Sequence, residues 1–206
     1  MNELPVDTAP PGGAGSTDDN AGPAGYNSGV HEGGGLPPVD IVELETVWVA
    51  AIRSVVAAED VPEFMSDALS LVAAALREAG LAPAGPPFAR YFAAGPDGLD
   101  MAAGFPVAAP FLRASVAHPL PDSGAIEVAT ASAIVHPGEL PAGPAAVATH
   151  VGSYAGLEAA WSALRERADA MDRQLGDDPW EVYFIGPGSG VDEAEWRTEL
   201  VWPLRG

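Results

Sequence analysis

Two hexapeptides in the second and fourth quarters of the chain, PFARYF (87–92) and PWEVYF (179–184), stand at the same place in the same run of elements. Ahead of each lies a β-branched apolar run and then an Ala-rich stretch with helical period; a second apolar run follows each. The pattern reads as strand 42–56, helix 61–79, strand 87–93 and strand 101–107, matched by strand 145–154, helix 157–175, strand 180–186 and strand 197–204. Aligning the halves sets Tyr91 opposite Tyr183 and Phe105-Pro106 opposite Trp202-Pro203. A duplicated strand–helix–strand–strand unit cannot bury its apolar faces alone, so the halves are expected to share one sheet. The predicted class is α+β: two modules forming a curved antiparallel sheet, two helices on one face and a groove on the other. A further strand, AIEVATASAIV (125–135), lies between the modules.

The helices are read from spacing. Met65, Leu69, Val72 and Leu76 recur at helical period, with Pro62 near the start and Gly80 at the stop. Leu157, Trp161, Leu164, Ala168, Met171 and Leu175 trace a second stripe, which Gly176 is expected to end. One apolar stripe per helix suits a helix lying on a sheet. FPVAAPF and HPGELPAGP read as Pro-rich connections.

Composition narrows the function classes. Residues 1–38 are rich in Gly and Pro and nearly free of large apolar side chains, so they read as a disordered tail; residues 39–206 form the folded part. The tail start has neither the basic nor the apolar region of a signal peptide. Formal net charge is −20 and every basic residue is Arg, a field that repels nucleic acid and anionic membranes and attracts cations. The absence of Cys excludes disulfides, thiol catalysis and thiolate metal sites. No apolar run is long enough to span a bilayer. His31, His118, His136 and His150 lack metal-ligand spacing, and GPGSG (186–190) has no helix behind it to complete an anion cradle. A cytoplasmic protein with neither cofactor nor metal is expected.

Glu181 is the residue that an apolar strand does not explain. Alternation places Trp180, Val182 and Phe184 on one face, assigned to packing against the helices. Glu181, Tyr183 and Ile185 take the other face, assigned to the groove between the modules. A carboxylate beside aromatic rings offers charge pairing and cation–π attraction to a flat, lipophilic cation. The matching position in PFARYF is Ala89, so only one half carries the acid.

The block GSYAGLEAAWSALRERA … PWEVYFIGPGSGVDEAEWRTELVWPL resembles the GyrI-like small-molecule-binding superfamily, the effector-binding fold of some AraC-type and multidrug-sensing regulators. PPFARYF … DGLDMAAGFPV is similar to the same family, and the resemblance spans about residues 40–206. It implies that Glu181 meets a hydrophobic or cationic small molecule, caged by Tyr183, Trp196, Trp161 and Tyr154. Tyr91 and Phe105 would line the opposite wall, and Glu199 would join only through a bulge, since its parity opposes that of Trp196 and Trp202. The implied role is sequestration, resistance or sensing by a binding domain. The alternative is a hydrolase that opens the cyclopropane of DNA-alkylating natural products, with Glu181 as general acid/base and Tyr183 assisting. A third reading is an inhibitor that uses its acidic surface to bind a protein partner.

Overall fold

A computed structural model describes residues 38–109, 115–116 and 134–206. The chain runs β1 (Val39–Leu44), β2 (Val47–Val56), α1 (Val61–Glu78), β3 (Phe88–Gly95), β4 (Gly98–Pro106), β5 (Ser115–Val116), β6 (Ile134–Leu140), β7 (Gly143–Val151), α2 (Leu157–Ala170), β8 (Trp180–Ile185) and β9 (Arg197–Pro203). All pairings are antiparallel, in the order β1-β7-β9-β8-β3-β4-β2-β6, with the two-residue β5 on β6. This is the α+β sheet with two helices that the repeat predicts, and the order of strands reads the same from both ends. β3 and β8 meet at its centre. Both helices begin after a short 3₁₀ turn, Ala58–Asp60 or Tyr154–Gly156.

The registers obey the same twofold relation. Phe88 pairs with Gly104 in the first module and Trp180 with Val201 in the second. A bulge follows Tyr91 in β3, and another follows Tyr183 in β8. The outer strands are exchanged between modules: β1 pairs with β7, whereas β6 pairs with β2. The expected single strand 42–56 is therefore two strands. The chain leaves register at Glu45-Thr46, and the pieces run to opposite halves of the sheet, β1 to one edge and β2 between β4 and β6. The exchange carries Leu44 and Leu140 into one shared core.

HPGELPAGP is strand rather than connection except for Pro141-Ala142. Pro137 pairs with Ala50, and at that level no described strand lies beyond β6, so the missing N–H costs no ladder bond. Of the expected strand 125–135, residues 125–133 lie outside the described residues. α2 stops at Ala170, earlier than expected, because Asp172 takes a left-handed conformation (φ 54°). Leu175 then bridges Leu204, and the Gly176 N–H donates to the Pro203 carbonyl.

Core packing follows from strand alternation. α1 lays Ala68, Val72 and Leu76 on Ala50, Ile52 and Ala103; α2 lays Ala160 and Leu164 on Ala146, Ala148 and Leu200. The other face of the sheet curls over its own core, in which Phe88, Trp180, Val182, Val201, Leu44 and Leu140 pack without a helix. The curl brings the Arg90 guanidinium on β3 within 2.9 Å of the Glu139 carbonyl on β6, three strands away. A shallow apolar groove on this face is lined by Val47, Phe88, Pro106, Leu140, Val182 and Phe184.

Gly104 lets β2 and β4 approach: a Cβ there would lie 2.0 Å from the Ala50 carbonyl oxygen. Gly104→Ala is expected to destabilise the fold by at least about 2 kcal/mol, since backbone rather than a flexible side chain must yield. Urea unfolding monitored by Trp fluorescence measures this, and an unchanged midpoint would contradict the close approach.

Candidate functional site

Where the modules meet, Glu181 on β8 pairs with Ala89 on β3. These are the residues that the repeat aligns with each other, so the pseudo-twofold axis passes through the pair. This explains why only one half carries the acid. Paired side chains on one face have Cβ atoms about 4.5–5.5 Å apart, and two carboxylates so close and so buried would repel strongly. Ala89 leaves room for a single acid on the axis.

The alternation expected for β8 is observed, but the assignment of faces is reversed. Trp180 and Val182 pack in the helix-free inner core, while Glu181 shares a face with Leu200 and Ala148, beneath the helices. Both faces of β8 are apolar and buried, so pattern alone separates the two sets without saying which one the helices cover. The carboxylate thus points between α1 and α2 rather than into the helix-free groove.

Glu181 is 4% exposed and accepts three hydrogen bonds. The Tyr91 hydroxyl donates to Oε2 at 2.9 Å and the Tyr183 hydroxyl to the same oxygen at 2.5 Å. The Trp161 indole N–H donates to Oε1 at 2.8 Å. The two tyrosines are counterparts in the repeat, so each module sends its own phenol to the one carboxylate. Burial, and then the charge of Glu181, raises the Tyr91 phenol well above its ordinary range. Burial first, and the charge of Glu181 with it, does the same for Tyr183. Both phenols therefore stay protonated and act as donors.

Aromatic rings continue outward from this centre. Tyr154, in the turn before α2, meets Tyr183 edge-on with centroids 5.7 Å apart and packs on Trp196 at 5.0 Å. Its hydroxyl passes so close to Gly186 that a Cβ there would lie 2.5 Å away. On the other flank Trp161 meets Trp202 edge-on at 5.4 Å. Glu181, Tyr183, Tyr91, Trp161, Tyr154 and Trp196 are thus brought into one connected cluster, joined by Trp202, which the sequence reading placed only in the repeat.

The chain matches the model of the GyrI-like small molecule binding domain over residues 37–205. It belongs to the GyrI-like family. Among solved structures it is similar to the C-terminal domain of EcmrR, with 18% identity and a TM-score of 0.55, covering 82% of this chain and 98% of that one. It is also similar to EcmrR in its DNA complex, at 20% identity and a TM-score of 0.58, where the match covers 82% of this chain but only 58% of that chain. A third similar structure is described as a hydrolase from Listeria innocua, at 9% identity and a TM-score of 0.52, covering 81% of this chain and 91% of that one. At these identities the likeness establishes the fold. No curated protein sequence matches.

In this GyrI-like domain the chemistry of the twofold scaffold is one-sided. Trp161 has Met65 as its counterpart on α1, Tyr154 has Ala58 and Trp196 has Leu99. Met65, Phe64 and Leu99 pack with Ala89, Met101, Tyr91 and Tyr183 and form the opposite wall. The sequence reading placed Met65 on a helical stripe and missed its part in the site; aligning the helix starts, Val61 with Leu157, would have found it. Phe105 packs instead into the core under α1. Among the described residues no group of acids and histidines could hold a metal ion. No described helix is long and apolar enough to cross a membrane.

Glu199 does not join the cluster. It pairs with Val182 and Thr149, which puts it on the face opposite Glu181. Among the described residues it forms no salt bridge with a neighbouring Arg; it is 3% exposed, and its Oε1 has no partner there. Burial raises its carboxyl from the ordinary 4.5 to about 7. Between those values the folded chain holds a proton that the unfolded chain has lost, so stability falls with rising pH. The contribution is complete below about pH 4.5, declines through the window and is gone above about 7. Glu199→Gln is expected to remove that decline, read from urea midpoints at pH 5 and pH 8; parallel curves for the two proteins would show that Glu199 is not buried unpaired.

Proposed function

We propose that this domain binds hydrophobic, singly charged organic cations, with Glu181 as the counter-charge and Tyr91, Tyr183, Tyr154, Trp161 and Trp196 as the aromatic surround. One observation carries the reading: a lone carboxylate, buried at the junction of two modules, is lined by electron-rich rings and has no cationic side chain as partner among the described residues. A buried charge without a counter-ion is costly, and an incoming cation supplies one. The rings add about 0.5–2 kcal/mol each as the cation sheds water. The overall charge of −20 draws such ligands in and discourages nucleic acid.

Reaching the carboxylate requires a donor to yield. Tyr91 and Tyr183 are fixed on the two central strands, whereas Trp161 stands on α2, so Trp161 is the one that a ligand displaces. Capture rather than conversion is the supported role. The three groups that hydrogen-bond to Glu181 are all donors, and no second acid or histidine among the described residues bonds to it.

Tetraphenylphosphonium, a rigid aromatic monocation without hydrogen-bonding groups, tests this by calorimetry. Glu181→Gln is expected to weaken binding about 10- to 100-fold, the scale of a lost charge-assisted contact. Trp161→Phe keeps the wall but frees Oε1, and should bind as tightly as the parent or tighter. The ligand should be recovered unchanged. Equal affinity of parent and Glu181→Gln, with both folded by circular dichroism, would sink the proposal.

A further inference from the structure

The cluster has a second chemical end. Around Glu181 donors converge on one acceptor. Toward Trp196 the imbalance runs the other way: the Trp196 indole N–H and the Thr198 hydroxyl are both buried and have no hydrogen-bond partner among the described residues. An indole N–H can only donate, so what it lacks is an acceptor. Thr198 is fully buried and pairs with Tyr183 on one side and His150 on the other. The His150 ring does not serve it: Nε2 is engaged with the Ser153 carbonyl, and the Thr198 hydroxyl makes no hydrogen bond to either ring nitrogen. Tyr154 touches both Trp196 and Tyr183, so the two orphaned donors flank the same ring wall that encloses the carboxylate.

Buried polar groups in native proteins are nearly always paired, and two unpaired donors on one side of a binding cluster call for an explanation. We infer that Trp196 and Thr198 form an acceptor-reading subsite, so that the preferred ligand is an aromatic cation carrying a carbonyl or similar oxygen. This rests on the reading of Glu181 as the cation's partner and adds where the ligand's second polar group belongs. Thr198 is cross-strand partner to Tyr183, and Leu200 is partner to Glu181, which makes Thr198 a diagonal neighbour of Glu181. Such neighbours lie about 7–8 Å apart, which sets the spacing between the ligand's charge and its acceptor.

A matched pair of probes with that spacing is 4-benzoylbenzyltrimethylammonium and 4-benzylbenzyltrimethylammonium, which differ only by ketone against methylene. Calorimetry on the full chain is expected to show the ketone binding about five- to ten-fold tighter, the range of one or two neutral hydrogen bonds. Thr198→Val should reduce that preference while leaving the methylene compound's affinity unchanged, and Trp196→Phe, which also alters the ring wall, should lower the ketone-to-methylene ratio whatever it does to both affinities. Thr198→Val should also unfold at the same urea concentration as the parent or a higher one, because it removes an unpaired buried hydroxyl. Equal binding of the two probes, or a ketone-to-methylene ratio that neither variant changes, would overturn the subsite. So would a destabilised Thr198→Val, since the hydroxyl would then have a partner within the fold. If neither ammonium binds, or if Glu181→Gln leaves the methylene compound unaffected, the carboxylate reading itself fails and the subsite with it.

Discussion

The structure depends on how a single buried carboxylate is kept at the seam between two modules. Removing Glu181 from water costs several kcal/mol unless its oxygens are well supplied with donors. Three donors meet that need, one from each module's central strand and one from α2. The same contacts tie the first module to the second and α2 to the sheet. On the proposed reading, stability and ligand chemistry act through one group. Any molecule that takes over the charge of Glu181 must also replace part of the bonding that holds the halves together.

Twofold symmetry and one-sided chemistry coexist for a steric and electrostatic reason. The scaffold repeats faithfully, down to the bulge after each tyrosine and the exchanged outer strands. A residue on the axis faces its own counterpart, and two acids facing each other would repel. Glu181 against Ala89 resolves that conflict, and the larger aromatic side chains follow the acid into the second half. The first half answers with Met65, Phe64 and Leu99, which supply apolar surface without competing polar groups. The outcome is a cluster with a carboxylate end and a donor end, wrapped by rings.

Much of this was legible without coordinates. The match of PFARYF to PWEVYF gave the duplication, the class of fold and the pairing of Tyr91 with Tyr183. The odd acid in PWEVYF marked the centre of the cluster, and alternation put Glu199 on the other side of the sheet. Other features were hidden for identifiable reasons. A strand buried on both faces has no polar side to mark its outside, so Glu181 and Tyr183 were assigned to the wrong face. The break at Glu45-Thr46 lacks Gly or Pro, and β1 departs to pair with β7, a non-local choice that no local pattern encodes. The end of α2 depends on Asp172 accepting a left-handed backbone, although the apolar period continues to Leu175.

The sequence by itself determined the two modules, the helix and strand periods, the acidic character and the identity of the lone acid, because each is a matter of local order or composition. Only the tertiary structure decided that Ala89 and Glu181 face each other, that Tyr91, Tyr183 and Trp161 converge on one carboxylate, and that Trp196 and Thr198 are left without acceptors. Those facts arise from strand register and helix placement, which are set by packing between residues far apart in the chain. A sequence lists the groups, and the fold determines which of them are satisfied.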